Sequence, residues 1–208
     1  MMDMNSLLSG NRLLPVVIID HVEDTVPLCE AILEGGLGTV EFTLRTPTAL
    51  ACIAEATKRF PDLSVGAGTV TTPEQAVRAK ESGAVFGVSP GTTAALRDAV
   101  VEMEFPFLPG GSTPSEFMAN SEAGFDIQKF FPAEVSGGCG FLSSLTSPFP
   151  QLSFCPTGGI NQENANTYLS LPNVIAIGGS WFVGPERIQN KEWSVISRDI
   201  REIIKKLS

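Results

Sequence analysis

Histidine is nearly missing from this sequence: His21 is the only one in 208 residues. A metal site built on several histidines is therefore impossible, and Ser-His catalysis has a single candidate. His21 ends the first apolar run, where a polar residue at a strand-to-helix turn needs no chemical role. Cysteine is scarce too. Cys29, Cys52, Cys139 and Cys155 lie far apart and form no Cys-x-x-Cys pair, which argues against a zinc site or a disulfide framework and fits a reducing, cytosolic setting. Basic residues number 14 against 23 acidic ones, a net charge of −9. Nucleic acid and anionic membranes both select basic surfaces, so neither is the expected partner, while a small anion held locally remains compatible. No apolar run approaches the ~20 residues that span a bilayer. Residues 1–10 are polar and lack a signal-peptide pattern, so the expected location is cytoplasmic. No linker, charge block or low-complexity stretch divides the chain, and a single domain over 1–208 is expected.

What is present is a core-rich globular composition, 43% hydrophobic and 18% charged. Short β-rich apolar runs fall at 14–20, 39–44, 63–70, 85–89, 105–109, 126–131, 152–157 and 174–177. Segments with helical apolar spacing lie between them, at 22–33, 48–60, 73–82, 93–103, 114–123 and 163–169, and a last amphipathic one spans 192–207. Pro47, Pro73 and Pro114 sit near helix starts, and Gly83 and Gly124 follow helix ends. The stretch 135–150, rich in Gly, Ser and Pro, is the least regular crossover. Strand–helix alternation implies a parallel sheet, because parallel strands need crossover connections. Eight such units predict an α/β fold, a closed (β/α)8 TIM barrel; a doubly wound open sheet is the alternative.

Two charges interrupt the apolar strands. Lys129 stands in Asp126-Ile127-Gln128-Lys129-Phe130-Phe131-Pro132, and Glu41 in Thr39-Val40-Glu41-Phe42-Thr43-Leu44, with Arg45 following. Desolvating an ammonium is expensive, so a lysine there needs a partner or a task. If both strand faces point inward, Lys129 and Glu41 meet in the barrel mouth, with the lysine a candidate nucleophile. A space-filling buried ion pair is the competing explanation. Two glycine pairs end the last strands, Gly158-Gly159 and Gly178-Gly179, followed by Ser180. Glycines let backbone N–H groups approach an anion, and the loops after strands seven and eight of such barrels commonly hold phosphate. Tight turns alone would also explain one such pair.

Together, Glu41-Phe42-Thr43-Leu44-Arg45-Thr46, Gly66-Ala67-Gly68-Thr69-Val70, Val88-Ser89-Pro90-Gly91, Lys129-Phe130-Phe131-Pro132-Ala133-Glu134, Cys155-Pro156-Thr157-Gly158-Gly159-Ile160 and Gly178-Gly179-Ser180-Trp181 resemble the 2-keto-3-deoxy-6-phosphogluconate (KDPG) aldolase family. The resemblance runs from about Leu13 to Val183. It implies a class I aldolase on a (β/α)8 barrel, a homotrimer acting on a phosphorylated keto acid with no metal or other cofactor. By position it implies that Lys129 is the Schiff-base lysine and Glu41 the general acid/base. Arg45, Thr69, Pro90 and Thr157 match substrate-binding positions, and Gly158, Gly159, Gly179 and Ser180 the phosphate-contacting turns. Threonine at 157 resembles the gluconate rather than the galactonate enzyme. Gly111 departs from relatives with a bulkier residue there, which implies a looser pocket wall. The competing functions are preference for 4-hydroxy-2-oxoglutarate, a phosphosugar isomerase or epimerase, and a phosphosugar-binding barrel without catalysis.

Overall fold

The computed structural model describes residues 4–207 apart from residues 9 and 11, so part of the 1–10 stretch read for a leader lies outside the described residues. The elements run α1 (Met4–Leu8), β1 (Leu13–Val17), α2 (Thr25–Gly35), β2 (Thr39–Thr43), α3 (Ala49–Arg59), β3 (Ser64–Gly68), α4 (Pro73–Glu81), β4 (Phe86–Val88), α5 (Ala94–Glu102), β5 (Phe107–Leu108) and β6 (Gly110–Gly111). Then follow α6 (Pro114–Glu122), β7 (Ile127–Phe130), α7 (Gly138–Leu145), β8 (Ser153–Pro156), α8 (Ala165–Leu169), β9 (Ile177–Gly179), α9 (Pro185–Gln189) and α10 (Trp193–Leu207).

Local chemistry explains the helix starts. The Thr72, Thr93 and Thr113 hydroxyls accept backbone N–H groups from the first turns of α4, α5 and α6, and Pro73 and Pro114 open two of these helices. Thr113 and Glu116 cap one another reciprocally, a capping box. Gly83 and Gly124 follow α4 and α6 at φ 93° and 92°, the left-handed conformation that ends a helix.

Every strand pair among the described residues is parallel. Six strands form a curled sheet in the order β5-β4-β3-β2-β1-β9, and three more form β6-β7-β8. The run expected as the fifth strand, 105–109, is thus a strand only at β5, and a further short strand, β6, follows Pro109 in the other sheet. Proline has no N–H to give the ladder. Side chains bridge the break: Ser89 Oγ accepts the Gly110 N–H at 3.0 Å, and Thr92 Oγ1 donates to the Gly110 carbonyl at 3.2 Å. A Cβ on Gly110 would lie 2.4 Å from the Ser89 carbonyl oxygen, so only glycine fits the crossing. Single bridges, Phe154 to Val174 and Thr157 to Gly178, join β8 to the chain around β9. The run expected as strand eight, 174–177, contributes only the first of these bridges; regular pairing starts at Ile177.

Two apolar cores result. The larger lies between strands and helices. The smaller fills the inner face with Leu14, Phe86, Val88, Leu108, Cys155 and Ala176, and α1 closes it with Met4, Leu7 and Leu8. Each leucine so buried contributes about 1.5–3 kcal/mol. Thr39, at the start of β2, donates to the Leu7 carbonyl at 3.2 Å, which fixes α1 at the N-terminal ends of the strands. The stretch 135–150, read as irregular, contains α7. Its Phe141 stacks on Phe130 at 5.2 Å between ring centroids, and Leu142 and Leu145 are buried, so tertiary packing overrides weak helix propensity. No helix among the described residues is long and apolar enough to cross a membrane.

Candidate active site

Side chains two apart on a strand share a face. Ile127 and Lys129 of β7 therefore turn toward the same interior, and Ile127 packs on the inner core. Glu41 and Thr43 of β2 are both fully buried, and the Thr43 hydroxyl donates to the Val17 carbonyl at 2.9 Å. Lys129 Nζ comes within 3.5 Å of Glu41 Oε1, with side chains only 5% and 1% exposed. Both Glu41 oxygens are buried and, among the described residues, have no hydrogen-bond partner. A buried carboxylate so poorly satisfied is costly, which separates this pair from a tightly bonded structural salt bridge. Lys129 Nζ also lies 5.4 Å from the Phe131 ring centroid, within cation–π range.

Glycine makes room for this carboxylate. A Cβ on Gly68 would stand 2.0 Å from Glu41 Oε1 and 2.5 Å from its Cδ and Cγ. Cys155 is in register with Lys129 across the β7–β8 pair. Burial pushes its thiol up to about 12; the Lys129 charge pulls the other way and Glu41 pushes further up. Cys155 is therefore a protonated, apolar wall beside the lysine at neutral pH.

Two further groupings surround the strand ends. Arg45 Nε donates to Thr69 Oγ1 at 3.0 Å. Thr69 follows Gly68 and holds φ 57°, a left-handed conformation unusual for a β-branched residue. Such strain concentrates at functional sites. Beyond β8, Gly158 and Gly159 take φ 98° and 79°, and the Thr157–Gly178 bridge sets this turn beside the one that follows β9. A Cβ on Gly178 would lie 2.3 Å from Thr157 Oγ1, and one on Gly179 would meet the Trp181 ring at 1.8 Å. Ser180 is exposed just past the strand, and Pro90 is half-buried just past β4.

Of the residues singled out in the sequence, Lys129 and Glu41 thus meet directly, as do Arg45 and Thr69. Thr157, Gly158, Gly159, Gly179 and Ser180 cluster at the ends of β8 and β9. Among the described residues no hydrogen bond links these last two groups to Lys129. Gly111 does not loosen the pocket wall: a Cβ there would face Glu116 and Phe117 at 3.1 Å, toward α6. Ser89, present in the sequence only as part of Val88-Ser89-Pro90-Gly91 and with no role assigned, is fully buried at the strand break. Tyr168, the single tyrosine, carries no motif that marks it in the sequence; it is fully buried and donates its hydroxyl proton to Glu134 Oε1. Among the described residues no group of three or more His, Cys, Asp or Glu side chains is gathered to hold a metal ion.

The profile of an aldolase family, described as KDPG and KHG aldolase, matches residues 4–199. The KHG/KDPG aldolase of Escherichia coli K12 is 40% identical over 199 residues, 96% of this chain and 93% of that protein. The 2-dehydro-3-deoxy-phosphogluconate aldolase of Zymomonas mobilis is 42% identical over 183 residues, 88% of each chain. The crystal structure of KDPG aldolase from Legionella pneumophila, with pyruvate captured as a covalent carbinolamine, superposes with a TM-score of 0.94 at 42% identity, covering 96% of this chain and 97% of that one. On sequence and on three-dimensional form alike, this chain belongs to the KDPG and KHG aldolase family.

Proposed function

We propose that this protein is a class I aldolase that reversibly cleaves 2-dehydro-3-deoxy-6-phosphogluconate to pyruvate and glyceraldehyde 3-phosphate. The observation that carries the reading is the buried Lys129–Glu41 pair, 3.5 Å apart, with a carboxylate that has no hydrogen-bond partner among the described residues. Lys129 is the nucleophile. Its amine must be neutral to attack, and an ordinary lysine is almost wholly protonated at neutral pH. Glu41 is near enough to take that proton.

The amine adds to the C2 ketone, giving a carbinolamine. Glu41 returns the proton it took to the departing hydroxyl, and loss of water leaves an iminium. Breaking C3–C4 sends its electron pair into that iminium, forming an enamine, while Glu41 accepts the C4 hydroxyl proton, directly or through one water. Glyceraldehyde 3-phosphate leaves. Protonation at C3 and hydrolysis release pyruvate and free the amine. Arg45, oriented by Thr69, binds the carboxylate of the pyruvate half, with Pro90 and Thr157 on the pocket wall. Consecutive left-handed glycines at 158 and 159 suit a concave row of N–H groups for the phosphate, with Gly179 and Ser180 opposite.

The bonds across Pro109 and the two bridges beyond β8 support one (β/α)8 barrel, a single domain with this site at the C-terminal ends of its strands. Family resemblance supports a cytoplasmic homotrimer that needs neither metal nor cofactor and takes a small phosphorylated keto acid, not nucleic acid or membrane, as partner.

Borohydride reduction with pyruvate tests the chemistry. A fixed adduct mapping to Lys129 is expected, whereas a phosphosugar isomerase or an inert binding barrel would give none. Activity on 4-hydroxy-2-oxoglutarate is a second reading, favoured by the double name of the Escherichia coli relative. Comparing rates on both substrates, and on the galactonate epimer that Thr157 disfavours, ranks them.

A further inference from the structure

The structure assigns a positioning role to two residues outside the reacting pair: we infer that Tyr168 and Glu134 form a latch that holds the Gly158-Gly159 turn in its anion-binding shape. The inference rests on the function proposed above and names what shapes its phosphate subsite.

Tyr168, on α8, is fully buried, and a buried phenol requires a hydrogen-bond partner. It reaches across 34 residues of sequence to the Glu134 carboxylate. The same Glu134 holds the glycine turn in two other ways. Its backbone N–H donates to the Gly158 carbonyl at 3.1 Å. Its Cγ and Cβ lie against Gly159, where an added Cβ would come within 2.5 and 2.7 Å. Ala133, one residue earlier, donates to the Thr157 carbonyl at 2.8 Å. Gly138 leaves the junction open, since even a methyl there would press to 3.3 Å from the Tyr168 hydroxyl and 3.5 Å from Glu134 Oε1.

Glu134 itself is exposed, so its carboxylate is free to swing into water unless something fixes it. The phenol is that anchor. With it in place, the stem of Glu134 stays against Gly159, and the two left-handed residues keep their N–H groups converging. Without it, the turn keeps the backbone bond from Glu134 and the Asn164 amide donated to the Gly159 carbonyl at 3.0 Å, but loses the side chain packed against its left-handed face. Neither residue touches the reacting atoms, so the latch serves only the phosphate end of a substrate.

Substrates with and without phosphate separate this role from a merely structural one. Y168F should raise KM for 2-dehydro-3-deoxy-6-phosphogluconate about tenfold and weaken inhibition by inorganic phosphate to a similar degree, with kcat nearly unchanged. On 4-hydroxy-2-oxoglutarate, which carries no phosphate, kcat and KM should stay within about twofold of wild type. E134A should behave like Y168F. E134Q keeps an acceptor for the phenol and should restore KM to within about threefold. Equal losses on both substrates, no loss on either, or an E134Q variant as impaired as E134A overturns the latch. Borohydride trapping of wild-type protein with pyruvate is run beside these assays. If Lys129 is modified while the latch variants fail their pattern, the latch alone is wrong; if Lys129 is not modified, the aldolase reading itself falls.

Discussion

Gly68→Ala tests the role of Glu41 without altering either reacting group. The added methyl would stand 2.0 Å from Glu41 Oε1 and 2.5 Å from Cδ and Cγ, so the carboxylate must leave its place across Gly68. Backbone cannot yield easily, because β3 pairs along its full length with β2. Overpacking of this kind costs about 1–3 kcal/mol. At about 2–4 °C per kcal/mol for a chain of this size, the melting temperature should fall by roughly 2–12 °C, leaving the protein folded at 25 °C. Activity should suffer far more. A misplaced general acid/base removes about 10²–10⁴ in rate. Pyruvate release from 2-dehydro-3-deoxy-6-phosphogluconate, followed with a lactate dehydrogenase couple, should show that loss in kcat. Borohydride with pyruvate should still label Lys129, since its strand is untouched. A folded G68A enzyme with kcat within about threefold of wild type would refute the claim that the position of this carboxylate governs turnover.

Other outcomes follow from the same geometry. Lys129→Ala should abolish both turnover and adduct formation in the folded protein, checked by mass spectrometry after reduction; near-normal activity would remove Lys129 from the mechanism. Bonds from the Ser112 and Thr113 N–H groups hold the Glu116 carboxyl below its ordinary range. A lowered folded pKa adds stability above the unfolded pKa and loses it as pH falls through the folded one. E116Q should therefore melt lower than wild type at pH 7, with the gap closing as the pH is taken below the ordinary carboxylate range; a gap that widens in acid contradicts the capping box. Burial raises the Cys29 and Cys155 thiols to about 12 and also raises Cys52. Iodoacetamide at pH 8 should spare these three in the native protein and label all four cysteines after unfolding, and rapid native labelling of Cys155 would refute a sealed wall beside Lys129.

Lys129 and Glu41 were legible in the sequence because charge inside an apolar strand violates a strong rule, and violations of that kind mark places where another requirement governs. The turn at 158–159 is glycine because its backbone is left-handed, and the pair at 178–179 because Thr157 and Trp181 leave no room for a side chain; both stood out as Gly-Gly pairs at expected strand ends. Most strand and helix positions followed from periodicity. The break at Pro109 was not legible. The expected run stops at Pro109, and whether 110–111 opens a second strand depends on neighbours in space that the sequence does not record. Residues of α7 such as Gly138 and Ser143 are poor helix formers, and their helix exists because Phe130 and Phe117 offer Phe141 a surface. The short α1 was hidden for a similar reason, since its burial follows from the open lower end of the sheet. Tyr168 and Glu134 meet only in the folded chain, so neither spacing nor composition links them.

The interruption at Pro109 carries a mechanical consequence. Glu41 belongs to the six-stranded ladder and Lys129 to the three-stranded one. Their separation is thus set across a seam, laced on one side by Ser89 and Thr92 and on the other by two isolated bridges. The distance between carboxylate and amine therefore depends on Pro109 and these few cross-links, including the Lys129 N–H bond to the Pro109 carbonyl at 2.9 Å, rather than on the pairing within either ladder.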